Sequence, residues 1–313
     1  MRIVVTGARG FVGRPLCKAL RERGDEVVAA VRDRPVAEEI AVGAIHATTD
    51  WSPVLEGVDA VIHLAARVHV MADTETDPLR AYREVNCHGS LNLARQAASA
   101  GVKRMVFVSS VKVNGESTSG SAFTAFDDVA PTDPYGLSKF EAESALHELG
   151  DRTGMEIVVV RPPLVYGPGV KANFLSLIKA VEKRLPMPLG MARGRRSMVA
   201  LDNLIDLLIL CTRHPSAPGG TFMVSDGADL TVKELVTHIG NAMGKPALLL
   251  PVPTGLLRAA SALVGKKAVA DRLLGSLQVD IENTRQRLEW SPIISPPLAI
   301  AQTVAHYLTE KDE

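Results

Sequence analysis

Short apolar runs alternate with longer stretches of helical periodicity through the first half of the chain. The runs are rich in Val and Ile and are short enough for buried strands. Strands are predicted at 3–5, 26–31, 44–47, 59–64, 102–109 and 156–160. Helices are predicted at 11–20, at 76–100 and from Pro134 onward, where a proline suits the first helical turn. This alternation predicts an α/β fold with a doubly wound parallel sheet.

The pattern loosens after Tyr166, which indicates a second, smaller unit. We predict helices at 173–184 and 204–211, and strands at 197–201 and 221–224, the latter returning to the main sheet. Thr231, followed three residues later by Glu234, has the capping-box pattern and begins a helix that runs to Met243. We therefore assign one domain to residues 1–165 and 199–227, and a smaller C-terminal lobe to residues 166–198 and 228–313.

The most apolar stretch of the second half lies at 247–264. Pro251, Pro253 and Arg258 interrupt it, so it does not predict a membrane span. We interpret it as a buried helix after an extended proline-rich segment, with contact to a membrane surface as the alternative. Met1 leads directly into a strand, as in a chain without a secretory leader. The sequence thus predicts a cytoplasmic protein with no membrane span.

The charges of the chain are balanced. Its 313 residues include 35 basic and 35 acidic side chains, which leaves no basic excess to neutralise a nucleic acid. Cys17, Cys87 and Cys211 lie far apart in the sequence. Their spacing fits no metal site, and their odd number suits small core residues in a reducing cytoplasm. We therefore expect neither a nucleic-acid partner nor a bound metal.

A glycine triplet separates the first predicted strand from the first predicted helix. Gly7, Gly10 and Gly13 follow one another at a spacing of three. Glycines let the backbone approach a pyrophosphate, and a helix N-terminus offers free N–H groups and a partial positive charge. A plain tight turn is the alternative. Because a strand precedes the triplet and a helix follows it, we predict a dinucleotide site of the Rossmann type.

The end of the second predicted strand bears on the choice of cofactor. In nucleotide-binding sheets an acidic residue here binds the ribose hydroxyls, whereas a basic residue accommodates a 2′-phosphate. Arg32 follows the strand directly and Arg9 lies in the glycine turn, which favours NADP(H). The alternative is that Arg32 and Arg34 are solvated loop charges, and Asp33 leaves NAD(H) open.

Tyr135 and Lys139 lie four residues apart on a predicted helix, which places them on one face. An ammonium near a phenol lowers the phenol pKa, so Tyr135 could move a proton while a nicotinamide moves a hydride. Ser110 ends a neighbouring strand, on the sheet edge where ligands bind. With the glycine triplet, these residues predict an NAD(P)-dependent oxidoreductase. His63 lies inside an apolar strand and is interpreted as a packed histidine.

Six stretches of the first half resemble the extended short-chain dehydrogenase/reductases, in the branch of nucleotide-sugar epimerases, dehydratases and reductases. They are TGARGFVG at 6–13, DAVIHLAA at 59–66, VNCHG at 85–89, VSSVKVNG at 108–115, YGLSK at 135–139 and RPPLVYGPG at 161–169. The second half is similar more loosely, through RRSMVALDNL at 195–204 and LEWSP at 288–292. The resemblance implies a UDP-sugar substrate, a nicotinamide cofactor and a homodimer.

The resemblance also implies a role for each matched position. The catalytic set would be Ser110, Tyr135 and Lys139. The cofactor-binding residues would be Gly7, Arg9, Gly10, Phe11, Val12, Gly13, Arg32, Leu64, Ala65, Ala66, Asn86, Tyr135, Lys139 and Pro162, with Asn86 supporting the active-site backbone. The substrate-binding residues would be Ser110, Asn173, Arg196 and Arg272, the last three on the diphosphate.

Two departures from the family pattern narrow the reaction. Nucleotide-sugar dehydratases carry adjacent Asp and Glu after the Ser/Thr position, where this chain has Val111 and Lys112. The change argues against a dehydratase. Asn114 stands where the family often has Tyr, and we expect this difference to affect a substrate contact.

Two reactions at carbon 4 of a UDP-sugar fit these residues. A reductase would give a hydride once to a UDP-4-keto-6-deoxy-N-acetylhexosamine for surface-polysaccharide synthesis. An epimerase acting on UDP-glucose or UDP-N-acetylglucosamine would oxidise the 4-hydroxyl and return the hydride to the other face. The NADP(H) preference and the similarity of the chain, including SLQVD at 276–280, to such reductases make the reductase the main expectation. A small carbonyl substrate is a further alternative, which Asn173 and Arg196 oppose. A non-catalytic NADP-binding module is another, which the intact catalytic set opposes.

Overall fold

The computed structural model describes residues 1–68, 76–263, 265, 271 and 273–312, and eleven strands lie within them. In chain order they are β1 (Arg2–Thr6), β2 (Glu26–Val31), β3 (Glu39–Ala41), β4 (Ala60–His63), β5 (Arg104–Val108), β6 (Glu156–Arg161), β7 (Leu164–Tyr166), β8 (Arg195–Arg196), β9 (Met198–Ala200), β10 (Thr221–Met223) and β11 (Leu230–Thr231). Seven of them form one parallel sheet in the order β10-β6-β5-β4-β1-β2-β3. The doubly wound Rossmann-type sheet predicted from the sequence is confirmed. Its strand order reverses between β1 and β4, where such sheets form a crevice.

Helices cover both faces of this sheet and build the second lobe. In the described part of the chain they are α1 (Gly13–Glu22), α2 (Ser52–Leu55), α3 (Pro78–Arg83), a π-helical turn (Glu84–Gly89), α4 (Ser90–Ser99), a 3-10 turn (Val111–Val113), α5 (Pro134–Thr153), α6 (Ala172–Glu182), α7 (Leu201–Cys211), α8 (Val232–Ala242), α9 (Thr254–Leu263), α10 (Glu282–Leu288) and α11 (Pro296–Asp312). As predicted, Pro134 lies in the first turn of α5, and Thr231 and Glu234 form the capping box of α8.

Alternation along the strands divides the core into two layers. Val5 faces the side covered by α1 and α7, whereas its neighbour Val4 faces the side covered by α4 and α5. Successive strand residues point to opposite faces, so an all-apolar run is what a sheet covered on both sides requires. A third buried cluster, which includes Tyr166, Phe174 and Ile300, holds the second lobe together.

Several predicted boundaries were wrong, for reasons that the structure shows. Helix α1 begins at Gly13 because residues 7–12 form the turn over the strand ends. The third strand is Glu39–Ala41 and not 44–47, since this half-exposed edge strand has no continuous apolar run. Residues 78–99 are helical as predicted but contain a π-helical turn. Helix α9 has no buried residue, so the interpretation of 247–264 as a buried helix is wrong.

A segment near the C-terminus joins the two parts of the molecule. Leu277 pairs with Arg196 and Val279 pairs with Phe123, both as parallel bridges. The Thr118 N–H donates to the Ser276 carbonyl at 2.8 Å, so Thr118 and Phe123 of one loop both contact this segment. Residues 276–280 therefore lie between β8 of the second lobe and the loop that follows Ser110.

The three cysteines are free and buried, as predicted for small core residues. Among the helices that the structure describes, none is long and apolar enough to cross a membrane.

Candidate active site

The glycine turn packs directly on the backbone that follows β4. Gly7 has a φ of 66°, and a Cβ built there would lie 3.0 Å from the Ala65 nitrogen. A Cβ on Gly13 would lie 2.2 Å from the Gly7 carbonyl oxygen, and the Gly10 N–H donates to that same oxygen at 2.8 Å. The three glycines thus form a bare backbone cradle at the N-terminus of α1, which suits a pyrophosphate.

The other predicted cofactor residues lie around this cradle or at neighbouring strand ends. Phe11 and Val12 are partly buried against the core beneath the turn. Leu64, Ala65 and Ala66 follow β4 directly and are partly exposed. Pro162 follows β6, is buried, and its carbonyl accepts the Val111 N–H at 3.0 Å. All of them lie at the carboxyl ends of strands in the main sheet, where ligands bind in open α/β sheets.

A buried chain of hydrogen bonds fixes the turns at these strand ends. The Thr6 hydroxyl oxygen accepts the N–H groups of Leu64 and Ala65 at 3.2 and 3.1 Å, and lies 2.7 Å from Nδ1 of His63. Nε2 of His63 is 2.9 Å from the Ser90 hydroxyl, which donates to the Asn86 carbonyl. Burial lowers the pKa of His63 to about 3, so the ring is neutral. His63 is a packed residue, as predicted, and it supports the backbone.

Asn86 extends this chain to the catalytic helix. Its amide oxygen accepts the Arg67 N–H at 2.8 Å, and its amide nitrogen donates to the Arg67 carbonyl and the Ser138 hydroxyl, both at 3.0 Å. Ser138 in turn donates to the Tyr135 carbonyl at 2.8 Å. The fully buried Asn86 side chain is thereby occupied by protein groups. Its side chain thus links the Arg67 backbone to Ser138 at the start of α5.

The three predicted catalytic residues meet beside the end of β5. Ser110 is extended and begins the 3-10 turn, and its side chain hydrogen-bonds with Tyr135. Tyr135 and Lys139 lie on one face of α5, whose first turn is capped by the Asp133 carboxylate accepting the Gly136 N–H at 2.6 Å. The predicted set is thus brought together by one strand end and one capped helix.

Burial dominates the pKa of both predicted catalytic side chains of α5. It raises the pKa of the Tyr135 phenol, the Asp133 carboxylate adds to the rise, and the hydrogen bond with Ser110 opposes it. It lowers the pKa of Lys139 to about 7, against the opposing charge of Glu143. A buried neutral form avoids the cost of desolvating a charge, which is why both shifts favour the neutral side chain.

Lys139 is engaged by the backbone of β5. Its Nζ donates to the Val108 carbonyl at 2.8 Å and lies 4.3 Å from the centre of the Phe107 ring. The sequence predicted that Lys139 lowers the pKa of Tyr135. In this structure burial and the Asp133 carboxylate raise the pKa of the phenol, and Nζ of Lys139 is directed to the Val108 carbonyl instead.

Lys112 is held in ion pairs at the start of α5. Its Nζ forms ion pairs with Glu116, at 2.8 Å, and with Asp133, the residue that caps α5. The pair places a positive charge next to the carboxylate that raises the pKa of Tyr135. Lys112 therefore acts on the catalytic helix through its cap.

Asn114 is a structural residue, which corrects the expected substrate contact. It is buried, its amide oxygen accepts Nη1 of Arg161 at 3.1 Å, and its amide nitrogen donates to the Thr124 carbonyl at 3.0 Å. Arg161 is in turn ion-paired with the buried Glu143 of α5. Asn114 thus joins the loop after Ser110 to β6 and α5.

The two arginines expected at the adenosine ribose have different surroundings. Arg9 is bound by Glu39 of β3, with Nε 3.0 Å from a carboxylate oxygen, and it also donates to the carbonyls of Asp33 and Arg34. Arg32 is exposed at the end of β2. Because Arg9 is held by a carboxylate, it is not available as a simple counter-charge to a 2′-phosphate.

The predicted diphosphate residues lie in the second lobe. Asn173 is exposed in the first turn of α6. Arg196 of β8 is partly buried and donates to the Gly275 carbonyl at 3.4 Å, next to the segment that contacts the loop after Ser110. Arg272 lies outside the described residues. The structure therefore connects Arg196, but not Asn173, to the catalytic side of the molecule through hydrogen-bonded neighbours.

Comparison with known proteins agrees with this geometry. Residues 3–225 match the family described as "NAD dependent epimerase/dehydratase family". The chain belongs to this family. The membership confirms the family resemblance inferred from the sequence.

Two known proteins are similar to this chain over most of its length. A UDP-glucose 4-epimerase of Vibrio cholerae is 45% identical over 312 residues, covering 98% of this chain and 95% of that protein. An Escherichia coli O157:H7 N-acetyl-alpha-D-glucosaminyl-diphospho-ditrans,octacis-undecaprenol 4-epimerase is 26% identical, over 82% of this chain and 77% of that protein.

Solved structures of the family share the fold. The UDP-glucuronic acid 4-epimerase of Bacillus cereus, in complex with NAD, superposes with a TM-score of 0.79 at 19% identity and 99% coverage of both chains. A Thermotoga maritima UDP-glucose 4-epimerase with UDP-glucose gives 0.78 at 21% identity, covering 99% of this chain and 100% of that one.

Sequence reasoning missed three residues that shape the site. Thr6 was seen only as the end of a strand, although its hydroxyl holds the next turn. Glu39 was not identified as a site residue because the third strand was predicted at 44–47. The sequence could have identified Asp133 as a helix cap. An Asp directly before a proline at the first helical position is typical of an N-cap.

Proposed function

We propose that the chain is a UDP-sugar 4-epimerase that uses NAD. The observation that supports this most is its 45% identity, over 98% of its length, with a UDP-glucose 4-epimerase. The neighbours in complex with NAD support the choice of cofactor. The 4-ketoreductase expected from the sequence is not confirmed, and the epimerase alternative fits these relatives better.

The cofactor would lie across the cradle of Gly7, Gly10 and Gly13. The fit is good because any Cβ on Gly13 would collide with backbone, so the turn keeps its N–H groups open to a pyrophosphate. When bound, the nicotinamide would take a hydride from the sugar and return it. The ion pair of Arg9 with Glu39 supports NAD over NADP, because a 2′-phosphate would meet the Glu39 carboxylate together with Arg9.

Tyr135 would take the proton of the sugar 4-hydroxyl and give it back after the keto sugar has turned. Because the pKa of this buried phenol is raised, Tyr135 keeps its proton in the free protein. Additional positive charge near the phenol is needed before the phenolate forms. Ser110 would hydrogen-bond the same sugar oxygen. Lys139, whose pKa is near 7, would supply the positive charge when protonated and orient the site through Val108.

The second lobe would hold the nucleotide. In this proposal residues 1–165 and 199–227 bind the cofactor, whereas residues 166–198 and 228–313 bind the UDP-sugar through Asn173, Arg196 and Arg272. A homodimer remains a prediction from the resemblance, which light scattering on the purified protein would test.

The test is conversion of UDP-glucose by the purified protein without added reductant. We expect UDP-galactose to accumulate to an equilibrium mixture, with UDP-N-acetylglucosamine assayed in parallel, and the denatured protein to release NAD. Tyr135→Phe should abolish turnover while UDP-glucose still binds by calorimetry. Tyr307→Phe is the matched control, because that phenol donates to Glu182 at the surface of the second lobe.

Two outcomes would contradict the proposal. Unchanged turnover in Tyr135→Phe would remove the proton-transfer role. Stoichiometric consumption of NADPH by a UDP-4-keto sugar, with no interconversion of UDP-sugars, would establish the reductase instead.

A further inference from the structure

Large exposed apolar side chains gather in one region of the second lobe. Six side chains that are between 41% and 89% exposed come from only two segments, 185–191 and 248–263. They are Leu185, Met191, Leu248, Leu250, Leu256 and Leu263. Contiguous exposed apolar patches often mark contact surfaces, whereas single scattered apolar residues do not.

The two segments lie side by side. The Met187 N–H donates to the Leu248 carbonyl at 2.8 Å, the Leu250 N–H donates back to the Met187 carbonyl at 2.8 Å, and the Gly190 N–H donates to the Leu250 carbonyl at 3.0 Å. Leu248 and Leu250 flank the paired Leu249 and are the exposed residues of this short ladder. The apolar side chains therefore share one region of the surface.

Helix α9 continues this region and turns apolar residues outward. Leu257 packs on the core of the lobe, whereas Leu256, Ala260 and Leu263 are exposed and follow at helical spacing on the other side. None of the ten residues of α9 is buried. A helix with an apolar outer face has nothing in the described chain to cover that face.

The same region is basic. Residues 183–196 and 245–263 contain no Asp or Glu, although the chain as a whole has 35 acidic and 35 basic residues. Exposed cations lie within both of these wider ranges, namely Lys183, Arg184, Arg193, Arg195, Lys245 and Arg258. Asp271 approaches one of them, Arg258, at 3.8 Å as a half-exposed pair. We call the exposed side chains of residues 183–196 and 245–263 the basic apolar surface.

We propose that the basic apolar surface binds the interface of an anionic phospholipid bilayer. Apolar side chains that project outward beside cations match the boundary between charged headgroups and acyl chains. Lys and Arg near such a surface are attracted by its negative potential. The contact is interfacial, with α9 lying along the membrane and the nucleotide-sugar lobe facing it.

The full-length protein would be sedimented with vesicles of phosphatidylglycerol and phosphatidylethanolamine in equal parts, and with vesicles of phosphatidylcholine alone. We expect binding to the anionic vesicles only, and its weakening in high salt because the headgroup charges are screened. The double variant Leu256→Glu/Leu263→Glu should bind at least about tenfold more weakly. Leu298→Glu, at a 54% exposed leucine in the first turn of α11, is the matched control and should bind like the native chain.

Vesicle binding does not depend on epimerase activity, so this test and that of the proposed function can fail separately. Failure of the native protein to sediment with anionic vesicles would overturn the proposal, as would native binding by the double variant. Equal binding to neutral vesicles would also overturn it, since charge would then play no part. If the double variant instead converted a native oligomer to a monomer in gel filtration, with no vesicle binding, the surface would belong to a second copy of the chain.

Discussion

Replacing Gly13 by alanine tests whether the glycine cradle is as closely packed as the structure shows. The new Cβ would lie 2.2 Å from the Gly7 carbonyl oxygen and 2.8 Å from the Ala8 Cα, whereas ordinary contacts begin at 3.4 Å. Both obstacles are backbone atoms, so no side chain can rotate away. The start of α1 must therefore move from the Gly7 turn by roughly 1 Å.

The expected cost has two parts. Overpacking of this size typically destabilises a protein by about 1–3 kcal/mol, and we expect the upper half of that range because Gly7 itself packs against the Ala65 backbone. The displaced N–H groups of α1 should also weaken NAD binding by about tenfold or more, which corresponds to about 1.4 kcal/mol.

Urea unfolding and calorimetric titration with NAD would measure the two effects. Gly255→Ala is the control, because this glycine lies in α9 with no heavy atom within 4 Å of a built Cβ. There alanine should leave NAD affinity unchanged and stabilise the protein by up to about 1 kcal/mol. If Gly13→Ala unfolded at the native urea midpoint and bound NAD normally, the close approach described here would be refuted.

Three further substitutions test the surroundings of the site. Lys112→Met should leave the helix-capping carboxylate uncompensated and raise the pKa of Tyr135, so the acidic limb of the pH–kcat profile should move to higher pH; an unmoved limb would contradict the proposed link. Asn114→Ala should destabilise the protein by about 1–3 kcal/mol in urea unfolding, since it leaves buried polar groups unpartnered. Glu39→Gln should release Arg9 and improve the affinity for NADPH relative to NADH by about tenfold in fluorescence titrations, and an unchanged ratio would show that Glu39 plays no part in cofactor choice.

The sequence predicted the main sheet well because its strands are buried on both faces. Each central strand is a continuous apolar run, and such a run is visible without knowledge of its neighbours. The edge strand Glu39–Ala41 is half exposed and only three residues long. Nothing local distinguishes it from a loop, so the strand was placed at 44–47 instead.

The shared helix face of Tyr135 and Lys139 was predictable for a different reason. Tyr135 and Lys139 depend on one helix, so their spacing fixes their shared face. The direction of the Lys139 ammonium depends on Val108, from a strand that packs against the helix, and only the structure shows it. The role of Asn114 was missed for the same reason, because its partner Arg161 is 47 residues away in the chain.

Residues 276–280 bear on whether a shorter fragment of the chain could function. The chain up to residue 225, where the family match ends, contains the whole main sheet and all three predicted catalytic residues. Its active-site loop, however, finds backbone partners at Ser276 and Gln278, beyond the end of the family match at residue 225. A fragment that stops before Ser276 would retain the predicted catalytic side chains but lose the segment whose backbone pairs with the loop beside them. We therefore expect such a fragment to be less active than the whole chain, and recombination between relatives would have to exchange this short segment together with the loop it pairs with.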